Sequence, residues 1–372
     1  MNHKPGNSEV TTTRAEMVRR RLIFRGDPRS PLLAPRGVWL AQGRLIVADT
    51  AQNRVFLWHG IPETEQQPAD VVLGQSDTDQ TGRNAGGEVT AATLLYPSGL
   101  WSDGKRLIVA DAWNHRVLIW HAWPTRHGQP ADVVLGQPDF HSNQPNHRGI
   151  SHNPEAWTLH WPYGVYSDGT HLWIADTGNR RVLFFPEIPE SNATPAEGVI
   201  GQPDLHSRDY RPEHPIWPYS VRIGPHGHLA ITDTQYYRVL LWHDWTTAFG
   251  QTADVLIGQP DLHANGQNQY GWFPKAHTLN WCYDSFFWKE GIWVADTGNS
   301  RVLWFEKVPT RHNPPADNLL GQDDFETGSE NKNSIFTTET SMYWPFALCI
   351  ENGLMAIADT GNHRIILNWL VT

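Results

Sequence analysis

One motif returns six times in phase along this chain, and it restricts the possible folds more than any other feature. An aspartate closing a short apolar run is followed five residues later by an arginine. The pairs are Asp49 and Arg54, Asp111 and Arg116, Asp176 and Arg181, Asp233 and Arg238, Asp296 and Arg301, and Asp359 and Arg364. Successive aspartates stand 62, 65, 57, 63 and 63 residues apart. Gly74-Gln75, Gly136-Gln137, Gly201-Gln202, Gly258-Gln259 and Gly321-Gln322 keep step, each beginning 25 residues after its aspartate. All variation in length therefore falls between a Gly-Gln and the next aspartate. Self-similarity at such a period marks units that bury their apolar faces only against neighbours, with insertions confined to loops on one face, often the binding face.

Each unit carries four strand signals. In the second they are Gly99–Ser102, Arg106–Ala110, Arg116–Trp120 and Ala131–Leu135, all short, β-branched or aromatic, and bounded by Gly, Pro, Asn or Asp. The 31 Gly and 27 Pro are spread along the chain, as many short strands joined by turns require. Six four-stranded antiparallel units without helical periodicity describe an all-β, six-bladed β-propeller. The sixth repeat carries three strands and no Gly-Gln, while Arg21–Asp27 resembles Leu135–Asp139. An N-terminal strand is thus expected to complete the last blade and remove an exposed sheet edge. The expected organisation is a flexible tail over 1–19 and a single propeller over 20–372.

The Ala-Asp-Thr-Gly-Asn-x-Arg-Val signature, with Pro-x-Gly ahead of the first strand of a unit, resembles the NHL-repeat family of six-bladed β-propellers over roughly residues 20–372. That resemblance implies the fold strongly and the function weakly. Such propellers include protein- and RNA-binding modules and a zinc-dependent lyase acting on peptidylglycine derivatives; related ones include lactonases and a streptogramin lyase.

The 29 Lys+Arg against 39 Asp+Glu leave a formal charge of −10, which disfavours nucleic acid, a polyanion that needs a basic field. Two cysteines, Cys282 and Cys349, make no disulfide framework. With no apolar signal-like stretch near the N-terminus and no run long enough for a membrane helix, the chain reads as cytoplasmic and without a membrane partner.

Repetition assigns the six Asp–Arg pairs, the five Gly-Gln pairs, and Trp58-His59, Trp120-His121 and Trp242-His243, to structure rather than chemistry. Departures from the repeat carry more information. The turn after the second strand holds Trp113 in blade two and Tyr236-Tyr237 in blade four, aromatics suited to a recognition surface if exposed. The starts of the innermost strands should ring the channel mouth with Arg36, Ser98, Tyr163, Tyr219, Tyr283 and Phe346. Blade five departs there, with Cys282 for proline and Asp284 for a small residue.

Histidine is also in register: His141, His206 and His263 follow Gly-Gln-Pro-Asp and one apolar residue. Imidazoles with carboxylates could hold zinc or iron. The outer strand, however, lies about 14 Å from the innermost, so a ring near the rim cannot share one metal. A cofactor is therefore undetermined: a divalent metal could bind, and none is required. His147, His152, His160 and His277 lie on long loops that could return to the axis.

The function expected from the sequence is a non-catalytic scaffold recognising a protein partner or small molecule on its loop face, in the assembly of a larger complex. Its contacts would be Arg36, Trp113, Tyr163, Tyr219, Tyr236, Tyr237, Tyr283 and Asp284. The alternative is a metal-dependent lyase or hydrolase at the channel mouth, using Asp284 and loop histidines as ligands or base.

Overall fold

The computed structural model describes residues 17–371. Six four-stranded antiparallel sheets form a closed ring, five of them running in chain order from the axis outward. The innermost strands are Gly37–Ala41, Pro97–Ser102, Pro162–Ser167, Pro218–Ile223, Asp284–Trp288 and Pro345–Glu351. Blade two consists of Pro97–Ser102, Leu107–Asp111, Arg116–Trp120 and Val133–Leu135, within two residues of the bounds its sequence predicts. The sixth sheet takes its outer strand, Val18–Phe24, from the start of the chain. That strand pairs antiparallel with Arg364–Leu370, Leu22 opposite Leu367, so the two ends of the propeller meet in one blade. Of the expected tail over 1–19, residues 1–16 lie outside the described residues.

The repeat motifs turn out to be the bolts of the ring. Each aspartate is fully buried and takes the Nε–H of its arginine on one carboxylate oxygen at 2.6–2.9 Å. The other oxygen accepts a backbone N–H from the loop sixteen residues upstream, from Leu33 in blade one to Tyr343 in blade six, at 2.6–2.7 Å. Those partners come from the preceding inter-blade loop and not from the tight turn between the second and third strands. The rest of each guanidinium donates to loop carbonyls; Arg181 reaches those of Leu205, Glu155 and Thr158. A buried charge is tolerated only with such full pairing. The glutamines act likewise: Gln75 Nε2 donates to the Asn53 and Gly82 carbonyls. The glycine before it has φ +86°, and a Cβ there would stand 2.9 Å from the Asn53 oxygen, so only glycine fits.

Neighbouring blades are stapled by a threonine one residue after the aspartate. The hydroxyls of Thr50, Thr177, Thr234, Thr297 and Thr360 donate at 2.5–2.7 Å to the carbonyl that opens the next inner strand. Blade two has Ala112 instead. Between the blades the core is apolar, with Trp58, Trp120, Trp173, Trp242 and Trp293 among its largest fully buried side chains. The indoles that end third strands donate to a glutamine carbonyl nine residues on, while the following His N–H meets an aspartate, which accounts for the repeated Trp-His pairs.

Candidate functional site

The inter-blade loops and the Asp-to-Arg turns open on one face of the ring, cross-bridged by the glutamines. At the centre of this face the sequence-predicted mouth residues do converge: Arg36, Ser98, Tyr163, Tyr219, Tyr283 and Phe346 line one constriction. Their rings pack in series. Tyr163 stacks on Tyr219 at 4.7 Å, Tyr219 meets Tyr283 edge-on at 4.6 Å, and Tyr283 stacks on Phe346 at 4.1 Å. Arg36 lies over Phe346 at 4.4 Å and over Tyr96 at 5.1 Å, both within cation–π range. Burial pushes the Tyr96 phenol up to about 12 and those of Tyr163 and Tyr283 higher still, so all three stay neutral donors. This arrangement narrows the channel mouth to an aromatic floor.

Beneath the floor, Asp284 is committed to the fold. In blades one to three its position is glycine, because the inner strands crowd there; a Cβ on Gly99 would stand 2.5 Å from the Tyr163 oxygen. Asp284 instead meets Arg222 of blade four at 2.9 Å. It also accepts the N–H groups of Leu348 and Ser285. Both partners are buried, and the guanidinium is ringed by Trp39, Tyr166 and Phe286 at 5.6–6.0 Å. Asp284 lines the same constriction as the expected mouth residues, but its oxygens are engaged by the Arg222 guanidinium and two backbone N–H groups. Arg222 went unnoticed in the sequence because it lies three residues beyond Tyr219, the mouth residue of its blade, inside an ordinary strand.

The other predicted contacts separate. Trp113 is exposed and stacks on Tyr96 at 4.5 Å. Tyr237 is half-buried against Trp281 at 5.4 Å. Tyr236 corrects the expectation of an exposed aromatic: it is buried, the Arg238 guanidinium lies 4.6 Å over its ring, and its hydroxyl meets that of Tyr210. It occupies the place of an asparagine that, in blades two, three, five and six, pairs with an asparagine of the preceding loop.

His141, His206 and His263 are placed on the exposed loops of three different blades, and the structure does not bring them together. Each backbone N–H is held by the aspartate two residues before it, at 2.8–2.9 Å, which explains the register of the three. Among the described residues no group of three or more His, Cys, Asp or Glu side chains is placed to hold a metal. His160 is buried beside Trp161 and His115, while the His147 ring lies tilted 5.3 Å from that of Trp157.

A second aromatic ring went unread. The residue just before each inner strand's opening Pro or Cys is Tyr96, Trp161, Trp217, Trp281 or Trp344 in five of six blades. Four of these have φ between +47° and +59°, a left-handed backbone that bulky residues adopt only under constraint. The recurring aromatic ahead of Pro-x-Gly was the available signal. Trp281 and Trp344 wall a cleft of about 430 Å³ whose floor is Tyr283 and Phe346, with Arg36 and Glu330 also lining it.

No family model matches the chain, and no curated protein matches it. Solved structures similar to it include a streptogramin B lyase, 11% identical at a TM-score of 0.49, covering 95% of this chain and 98% of that one. Another is the computationally designed Ika8 protein, 9% identical at a TM-score of 0.38, covering 92% of this chain and 74% of that one. The six-bladed propeller is therefore established by the strands themselves, and the NHL likeness rests on the repeat motifs.

Proposed function

We propose that this protein is an NHL-type propeller working as a non-catalytic, cytoplasmic scaffold, whose loop face recognises a protein partner. One observation carries the reading. Among the described residues, eleven of the thirteen exposed large apolar side chains lie on the loop face, only Phe249 and Val371 lying elsewhere. They peak at two neighbouring loop tips, with Trp272 96% and Ile335 90% exposed beside Tyr270, Phe273 and Phe336. The two loops touch, since a Cβ on Gly328 would stand 3.1 Å from Pro274. Aromatic side chains projecting from a rigid scaffold suit a recognition surface, whose anchors are enriched in Trp and Tyr.

The catalytic alternative at the channel mouth has less support, because Asp284, its named base, is engaged by Arg222. No helix among the described residues is long and apolar enough to cross a membrane. The test is affinity capture from native lysate with the wild-type chain, with Trp272→Ala plus Phe273→Ala, and with Phe249→Ala on the other face. A stoichiometric partner held by wild type and Phe249→Ala and lost by the loop-tip variant is expected. A partner retained by the loop-tip variant, or none recovered at all, counts against the reading.

A further inference from the structure

We propose that the cleft between Trp281 and Trp344 is a pocket for an apolar group bearing a carboxylate, with Arg36 as its anion anchor. This inference rests on the reading of the loop face as the binding face and names the chemistry of one site on it.

Three observations converge. First, Arg36 is a half-buried cation facing the cleft with no carboxylate partner among the described residues; its neighbours are the phenols of Tyr219, Tyr96 and Tyr283. Phe346 and Tyr96 cover its guanidinium. A guanidinium presents planar N–H donors matched to the two oxygens of a carboxylate. The six repeat arginines are all paired with aspartates and the other axial arginine, Arg222, with Asp284, whereas Arg36 has phenols around it in place of a carboxylate.

Second, the rest of the cleft is aromatic. Trp281 and Trp344 are each 43% exposed as walls, over Tyr283 and Phe346. A volume of about 430 Å³ lies within the range of small-ligand sites. Both wall residues hold positive φ, +47° and +55°, so the backbone is constrained where the indoles are presented.

Third, charge sets the orientation. Four aromatic rings could also cage a cation, but Arg36 already lies over Phe346 and would repel one. Glu330 is an exposed carboxylate also lining the cleft. An acid with a single carboxylate therefore enters with that group toward Arg36 and its neutral or cationic end toward Glu330.

The test is isothermal titration of the full chain with 3-phenylpropionate, 3-phenylpropionamide and inorganic phosphate, followed by a blocked peptide carrying adjoining Glu and Phe. The acid is expected to bind at one per chain and at least tenfold more tightly than the amide or phosphate. Arg36→Gln should abolish the preference for acid over amide. Trp344→Ala, at a half-exposed wall, should weaken acid and amide together and keep the fold. A peptide tighter than the free acid assigns the carboxylate to a partner side chain, and the reverse assigns it to a small metabolite; both support the pocket. Equal binding of acid and amide, no heat with either up to millimolar concentration, or a preference surviving Arg36→Gln overturns the proposal. A partner lost on loop-tip mutation together with silent acids leaves the scaffold reading standing and removes this one.

Discussion

His115 offers a quantitative test of how the loops are fastened. It occupies the left-handed position before Arg116, at φ +53°, and its Nδ1 accepts the Trp161 N–H at 3.1 Å. The imidazole is buried with His160 at 5.3 Å. Burial first, and the neighbouring His160 second, push it down from 6.5 to about 3. The folded chain thus keeps His115 neutral at pH values where the unfolded chain protonates it. A depressed histidine contributes stability that is complete above 6.5 and is lost as pH falls toward 3. At about 1.36 kcal/mol per decade, the whole range corresponds to at most about 5 kcal/mol, and the portion down to about pH 5 to about 2 kcal/mol. Blade one supplies the control: there the equivalent Asn53 uses Oδ1 to accept the Tyr96 N–H at 3.1 Å without a titrating group. His115→Asn should therefore fold and keep the bond. Urea unfolding from about pH 7.5 to about pH 5 should cost the wild type about 2 kcal/mol more than the variant, roughly a 30-fold difference in folding constant. Equal pH slopes for the two proteins would refute the assignment of a buried, neutral imidazole.

Three further perturbations probe the ring. Arg181→Ala leaves Asp176 buried without its cation and should destabilise by about 3–5 kcal/mol, read as a lowered denaturation midpoint. Ala112→Thr should install the staple that the other five threonine-bearing blades possess, adding about 1 kcal/mol and raising Tm by a few degrees in calorimetry. Deleting residues 1–26 uncovers the Arg364–Leu370 edge of the last blade, and size-exclusion chromatography should show larger, self-associated species in place of the wild-type peak.

What could be read in advance was what a period determines. The in-phase motifs located the strands, and the start of each inner strand projected Arg36, Tyr163, Tyr219, Tyr283 and Phe346 to one mouth, where they stack. Side chains whose partners lie in another blade were less legible. Asp284 drew attention as a departure, but its engagement depends on Arg222, 62 residues earlier, and nothing in a single repeat announces that meeting. The cleft beside Trp281 and Trp344 was missed for a related reason, since an indole's exposure depends on the path of a long loop.

The Tyr236 correction shows how such departures are better read. In four blades the third residue after the aspartate is an asparagine whose amide exchanges hydrogen bonds with an asparagine 30–33 residues earlier, in the preceding loop. That loop asparagine sits at positive φ, from +46° to +50°, a conformation asparagine tolerates better than most side chains. In blade four both members change together: Tyr236 replaces one, and Tyr210, 26 residues earlier, supplies the matching hydroxyl. An aromatic in a repeat position is therefore weak evidence of a binding surface when its partner position has changed with it, because the pair can close on itself. Arg36 is the opposite case. It departs from glycine-flanked neighbours such as Ser98 at the same mouth position, and no acidic group in the described residues has changed to neutralise it. A departure that remains uncompensated within the fold is the one that points outward, to a ligand.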